Sequence, residues 1–309
     1  MRLALLFSGQ GGQRPEHGPQ IGADAPAKLL QALADCAIDI AVPQGDFLRG
    51  AVDPENLAKN SIAQPFIFAQ QMTLWSRLQA ELPRPICAAG YSLGEMAACS
   101  AAGIFSAAAG LELCVERARL MDGAVSGEQG MLAVLGLDDA RVAQLAADAG
   151  LAVAIRNAPR HLVVAGPRAG IIAVAAKFEA AGASRLVHLA VQTPSHTPPL
   201  ASAAAAFKKC LDLLPDSRPA FPVLSAIDAT PARTGRAALD ALARQICSPL
   251  DWAACLQSVV EMQPDAVLEI GPGNALARLF SEMAPSIPAR ACDDFRTVDG
   301  IVGWVQGCS

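Results

Sequence analysis

An unbroken apolar run, residues 3–7 (LALLF), opens the chain and predicts a short buried strand. It ends in SGQGGQ, a glycine-rich turn. The stretch up to Pro85 mixes helical segments and loops. Residues 86–89 are a second brief apolar strand, and Glu95 to Ala102 and Ala107 to Met121 read as helices. Near Gly130 the rhythm changes. MLAVLGL predicts a strand, and DDARVAQLAADAG a helix closed by glycine. LAVAIRN and HLVVAG predict two strands joined at Ala158-Pro159-Arg160. RAGIIAVAAKFEAAG is a second glycine-terminated helix, and SRLVHLA a last strand. The order β-α-β-β-α-β is the ferredoxin-like arrangement.

TPSHTPPL follows, then a long alanine-rich helix and a loop with several prolines. A helix spans about Ala237 to Ile246, and residues 266–270 (AVLEI) form a strand running into GPGNAL. The outer segments, 1–126 and 194–309, therefore read as one α/β domain, split by a ferredoxin-like (βαββαβ) subdomain at 127–193.

Composition narrows the function classes. The 309 residues are 52% hydrophobic and 17% charged, which excludes a disordered chain. Aromatic residues make up only 5%, so alanine-rich helices must pack closely through small side chains. The net charge is -5 and no basic block appears, which argues against nucleic acid; an anionic ligand would need a local positive site. Nine cysteines, with no Cys-x-x-Cys pair and no His/Cys cluster at zinc spacing, read as thiols of a reducing compartment, with no metal site. No signal-peptide core and no apolar run of membrane length is present, so the reading is a soluble, cytoplasmic protein.

Candidate chemistry starts at Gly90-Tyr91-Ser92-Leu93-Gly94, which contains the chain's single tyrosine. The turn lies between an apolar strand and a helix, the setting a nucleophile elbow requires. There a serine oxygen would face free N–H groups at a helix N-terminus. An incidental serine in a glycine turn is the bland alternative. A nucleophilic serine needs a base. Of the four histidines, His17 lies in a polar loop, and His161 and His188 lie in strand-like runs that suit structural histidines. His196 lies in Thr193-Pro194-Ser195-His196-Thr197-Pro198-Pro199, just before a helix that Thr197 could cap. It reads either as the base or as a surface histidine.

Two arginines end the helix LELCVERARLMDG. Arg119 has Glu116 and Asp122 as helical neighbours and reads as solvated. Arg117 has Leu113, Cys114, Leu120 and Met121, all apolar. A guanidinium on that face needs an anion, either an internal carboxylate or a substrate carboxylate held bidentately. The SGQGGQ turn fits neither phosphate-loop pattern; it reads as a plain turn that could still present a backbone N–H, such as that of Gln10.

Taken together, FSGQGGQ, GYSLGE, Arg117 lying 25 residues after Ser92, PSH, LARQICSPLDW and EIGPGNAL resemble the malonyl-CoA:acyl carrier protein transacylases and related acyltransferase domains. The likeness spans nearly the whole chain. It implies an acyltransferase-type, α/β-hydrolase-like large domain with the ferredoxin-like insert. By position it implies Ser92 as nucleophile, His196 as general base, and Gln245 orienting His196 through its backbone carbonyl. It further implies Arg117 holding a malonyl carboxylate, the N–H groups of Gln10 and Leu93 as oxyanion hole, and Asn157 near the pocket. Two positions depart from the family: Tyr91 stands where histidine is usual, and Ser8 where proline is usual. The tyrosine looks like the ε subunit of malonate decarboxylase, which loads malonyl from malonyl-CoA onto that complex's own carrier, the δ subunit.

The expectation is ping-pong transfer from malonyl-CoA through a malonyl-serine ester to the phosphopantetheine-type thiol of an acyl carrier protein. No bound cofactor is implied, since the CoA thioester is a substrate. Alternatives are the housekeeping transacylase of fatty-acid synthesis, a serine hydrolase or thioesterase, and a non-catalytic acyl-binding module. An α/β-hydrolase would place its catalytic histidine late, and here the last histidine is His196.

Overall fold

The computed structural model describes residues 1–308. Two sheets organise it. The first is built around β1 (Leu3–Phe7), whose five residues are all buried, as a central strand of a parallel sheet requires. Its neighbours are β2 (Cys87–Gly90) on one side and a later strand, Ala266–Ile270, on the other. The insert contributes β3 (Gln129–Leu135), β4 (Ala152–Ala158), β5 (His161–Pro167) and β6 (Arg185–His188). Then come β7 (Val223–Leu224), β8 (Pro231–Ala232), β9 (Leu250–Asp251), β10 (Ala266–Ile270) and β11 (Ala289–Ala291). The first sheet has the order β11-β10-β1-β2-β7-β8, parallel except for the last pair.

Register decides where a site can form. Phe7 pairs with Gly90 on one side and with Ile270 on the other, so the carboxyl ends of β1, β2 and β10 are level. The three glycine-rich turns read from sequence therefore leave the sheet at one edge, where ligands of open α/β sheets bind.

The second sheet has the order β6-β3-β5-β4-β9. Its first four strands follow the predicted β-α-β-β-α-β succession. β9 is an addition: it belongs to the C-terminal outer segment yet pairs in parallel with β4, so the sheet does not end where the insert was read to end. Alternation splits β3 between two cores. Leu132 and Val134 face the helices Asp139–Asp148 and Arg168–Ala180, while Met131 and Ala133 face the first sheet, packing in one cluster with Leu6, Ala89 and Trp252.

Helices match the periodic reading within a residue or two at most ends. The predicted Ala237 to Ile246 helix runs instead over Gly235–Arg244, because Thr234 supplies an earlier cap by accepting the Ala237 N–H. The helix Asn60–Leu78 is buried around most of its surface, as a helix at the centre of the layer must be. No helix among the described residues is long and apolar enough to cross a membrane.

Close approach explains the glycines flanking Ser92. A Cβ on Gly90 would collide with the backbone of Glu95, and one on Gly94 with the carbonyl of Phe7. Gly94→Ala should lower stability by about 1–3 kcal/mol through overpacking. Gly123→Ala, at a position with open space around it, should leave stability unchanged or slightly raised. Urea denaturation of the two variants checks this; equal stabilities would contradict the packing.

Candidate active site

Ser92 follows β2 in a sharp turn and leads into the helix Gly94–Ala101. Its φ is 55°, in the left-handed region that disfavours a side chain. The turn is held by Tyr91 N–H donating to the Phe7 carbonyl and Glu95 N–H to the Ser92 carbonyl. Ser92 Oγ lies 2.8 Å from His196 Nε2. His196 is also in the left-handed region, with φ 65°. Two neighbouring carbonyls fix it: its N–H donates to Ile246 at 2.9 Å, and its Nδ1 to Gln245 at 2.5 Å. A carbonyl can only accept, so the proton sits on Nδ1 and Nε2 is bare toward the serine hydroxyl. The loop carrying His196 is anchored further by Thr193 Oγ1 donating to Asp122. Thr197 does not cap the next helix as its sequence position implied; its hydroxyl donates back to the Pro194 carbonyl.

Arg117 lies on the buried stripe of Ala107–Gly123, with Leu113, Cys114 and Met121. It is 1% exposed. Its partners are neutral: Nη1 donates to Gln64 Oε1 at 2.8 Å and Nη2 to Gln245 Oε1 at 3.4 Å. Its Nε has no partner, and no carboxylate pairs with it among the described residues. A directly paired internal carboxylate is thus absent among the described residues; Glu95 acts on the guanidinium only at longer range, and a buried cation with an unused donor remains. Arg119, by contrast, pairs with Glu116 at the surface, as read.

The N–H groups of Gln10 and Leu93 make no hydrogen bond within the protein among the described residues. The SGQGGQ turn, read as a plain turn on its own, lines the cleft with Ser92 and His196. That cleft encloses about 620 Å³. The serine and glycine turns form one wall, and apolar residues of the second sheet, among them Met131, Ile155 and Val163, form the other. Tyr91 and Asn157 also line it. The Tyr91 hydroxyl donates to Asn157 Oδ1 at 2.9 Å, and its ring meets the edge of Trp252 at 5.3 Å. Asn157 Nδ2 lies 3.3 Å from His161 Nε2. His161 opens β5, in keeping with its reading as a structural histidine, and it also lines the cleft.

Burial sets the electrostatics. It pushes the His196 imidazole down to about 3; the Gln245 carbonyl opposes this and the Arg117 charge reinforces it. Arg117 is lowered by the same desolvation to about 10, so it is charged at neutral pH. Burial raises the Tyr91 phenol, which stays a neutral donor. Two carboxylates that sequence reading passed over are also buried. Glu269 lines the cleft, accepts from Ser8 Oγ at 2.8 Å, and is raised by burial to about 7. Glu95 is raised by burial to about 8. Gln64 was missed as well, since a glutamine inside a helix carries no positional signal.

The site thus combines a hydroxyl with a bare imidazole nitrogen, unbonded N–H groups at Gln10 on the cleft wall and at Leu93 next in the chain, and a buried cation, not itself lining the cleft, that Gln245 links to the imidazole and to the Ser92 main chain. Such a set can make and break an ester at Ser92 while holding an anionic group.

The acyl transferase domain family matches residues 5–292. The malonyl CoA-acyl carrier protein transacylase of Salmonella typhimurium is 29% identical, over 95% of this chain and 96% of its own length. Polyketide biosynthesis protein ThaF of Burkholderia thailandensis is 32% identical over 91% of this chain, which spans 24% of that longer protein. The acyl-carrier-protein S-malonyltransferase of Burkholderia pseudomallei superimposes with a TM-score of 0.86 at 29% identity, covering 98% of this chain and 100% of that one. A malonyl-transacylase in complex with its type II polyketide acyl-carrier protein gives 0.88 at 26% identity, over 98% and 99% of the two chains. With a match that runs over most of the sequence and through both sheets, the chain belongs to the acyl transferase domain family.

Proposed function

We propose that this protein transfers a malonyl group from malonyl-CoA to the thiol of an acyl carrier protein. The observation that carries this reading is Arg117, a buried charged guanidinium with a free Nε, joined through Gln245 to the Ser92–His196 pair. A plain hydrolase has no need of it. A dicarboxylic acyl group does, because its free carboxylate completes the guanidinium.

In the first half-reaction Ser92 Oγ attacks the thioester carbonyl and its proton passes to His196 Nε2. The oxyanion is met by the N–H groups of Gln10 and Leu93. The C–S bond breaks, and the departing sulfur takes the proton from His196. In the second half the carrier thiol gives its proton to His196 and attacks the malonyl-serine ester. The C–O bond breaks and Ser92 recovers its proton. Tyr91 and Asn157 shape the cleft beside the acyl group. The apolar wall of the second sheet limits water around the ester.

The relatives' names favour the plain transacylase, the housekeeping alternative, over the ε subunit of malonate decarboxylase. Tyr91 in place of histidine is the one observation on the other side. Incubation with malonyl-CoA should add one malonyl group to the wild-type protein and none to Ser92→Ala, read by intact mass. The loaded protein should then be discharged by a fatty-acid-type carrier faster than by a decarboxylase-type carrier. The reverse order would favour the specialised subunit, and label on Ser92→Ala would defeat the mechanism.

Arg117→Ala should weaken malonyl transfer by about 3–5 kcal/mol in kcat/KM. Acetyl transfer should hold or improve, since acetyl has no carboxylate to pair. Equal losses for both substrates would make Arg117 structural only.

The pH profile follows from His196. A lowered pKa keeps the neutral, proton-accepting form down to lower pH. The acid limb of kcat/KM should therefore fall well below the ordinary histidine value of about 6.5. A limb near that value would contradict the buried, neutral imidazole.

A further inference from the structure

Gln245 carries more of the site than its backbone carbonyl. Its Oε1 accepts from Arg117, and its Nε2 donates to the Ser92 carbonyl at 3.2 Å. The same Nε2 donates to Glu95 Oε2 at 3.0 Å. One residue therefore touches the nucleophile's backbone, the base and the carboxylate-binding cation. What orients that carboxamide is Glu95. The side chain of Glu95 is 1% exposed and stands in the first turn of the helix that Ser92 introduces. Its Oε2 also accepts the N–H of Ala226, at 3.2 Å, just past β7. A fixed acceptor between main chain and carboxamide leaves Gln245 one orientation: nitrogen toward Glu95 and Ser92, oxygen toward Arg117.

We propose that Glu95 is a positioning residue, which sets the Gln245 carboxamide and through it holds both the Ser92 main chain and Arg117 in place. This rests on the malonyl-transfer reading above.

Both hydrogen bonds end on the same oxygen, Oε2. A carboxyl protonated on Oε1 keeps them, and so does a glutamine whose carbonyl takes the place of Oε2. Geometry and charge can thus be separated. The groups acting on Glu95 are Arg117 and Arg244, which favour its charge, and Asp228, which opposes it; the Cys99 and Cys255 thiols also lie within its field. Because acceptance does not depend on the charge, transfer should not follow the ionisation of Glu95.

The test measures malonyl and acetyl transfer for Glu95→Gln, Glu95→Ala, Gln245→Met and the Glu95→Ala/Gln245→Met double variant. Glu95→Ala should lower kcat for both acyl groups by about 100-fold, the effect of a misplaced nucleophile. It should also reduce the malonyl-over-acetyl preference, which a loss of stability alone would not move. Glu95→Gln should restore rate, preference and the wild-type pH profile. In the double variant the losses should be far from additive, because both act through one carboxamide. Losses that add fully would overturn the proposal, as would a drop of about tenfold or more in Glu95→Gln, an outcome readable even if the alanine variant does not fold. Wild-type protein that moves no malonyl would fail the underlying reading; wild-type protein that does, beside an unchanged Glu95→Ala, fails this inference alone.

Discussion

The hydrogen bond from His196 Nδ1 to the Gln245 carbonyl is the contact on which the site depends. In many serine enzymes a carboxylate takes this position. Here the acceptor is main chain, so it cannot rotate away or titrate, and it leaves only one tautomer. It also demands that a loop after the insert meet the end of Gly235–Arg244 with little tolerance. The adjacent bond from His196 N–H to Ile246 and the left-handed backbone at His196 follow from that demand. Backbone strain of order 1–3 kcal/mol per residue persists only where neighbours over-determine it. Gln245, Ile246 and Asp122 do so on this side, and the glycines around Ser92 on the other.

The two sheets divide the remaining work. Level carboxyl ends of β1, β2 and β10 bring the Gln10, Ser92 and Gly271 turns to one edge. That alone would give an open shelf. The second sheet turns it into a cleft, because its strands show alternate residues to different partners. Met131 and Ala133 look toward the cleft while Leu132 and Val134 are occupied by helices. β9 fastens the arrangement. It lies a few residues beyond Gln245, so the strand that extends the second sheet is tied in sequence to the carbonyl that holds the base.

Much of this was legible in the sequence, for reasons that differ by element. β1 and β10 are continuous apolar runs ended by glycine, and such runs are buried whatever surrounds them. The insert could be read because its periods switch cleanly between two and 3.6. Ser92 announced itself through glycines that only close packing requires, and Arg117 through apolar neighbours a solvated arginine would not keep. The rest was invisible because it depends on contacts far apart in sequence. Nothing local distinguishes Gln64 from any helical glutamine, or Glu95 from a first-turn acid at the surface. His161 occupies a strand position, and only the facing of β5 against the cleft gives it a polar neighbour in Asn157. The short β9 carries too few residues for a periodic signal.

A neutral carbonyl behind the imidazole has a consequence for what the site can activate. With no carboxylate to stabilise an imidazolium, and with burial and Arg117 both opposing its charge, His196 is a weak base. The demand on a base falls as the nucleophile becomes more acidic. A thiol, with a pKa near about 8.5, needs little help. Water, near about 15.7, needs a great deal. A weak base therefore favours the carrier thiol over water at the acyl-serine stage, in addition to any exclusion by the apolar wall. A malonyl carboxylate against Arg117 would relieve only the smallest of the influences on His196, burial being the largest, so the base stays weak at the acyl-serine stage. In the proposed reaction, selectivity for the acyl group and selectivity for the acceptor then have a common origin in the buried guanidinium and the neutral partner of the base.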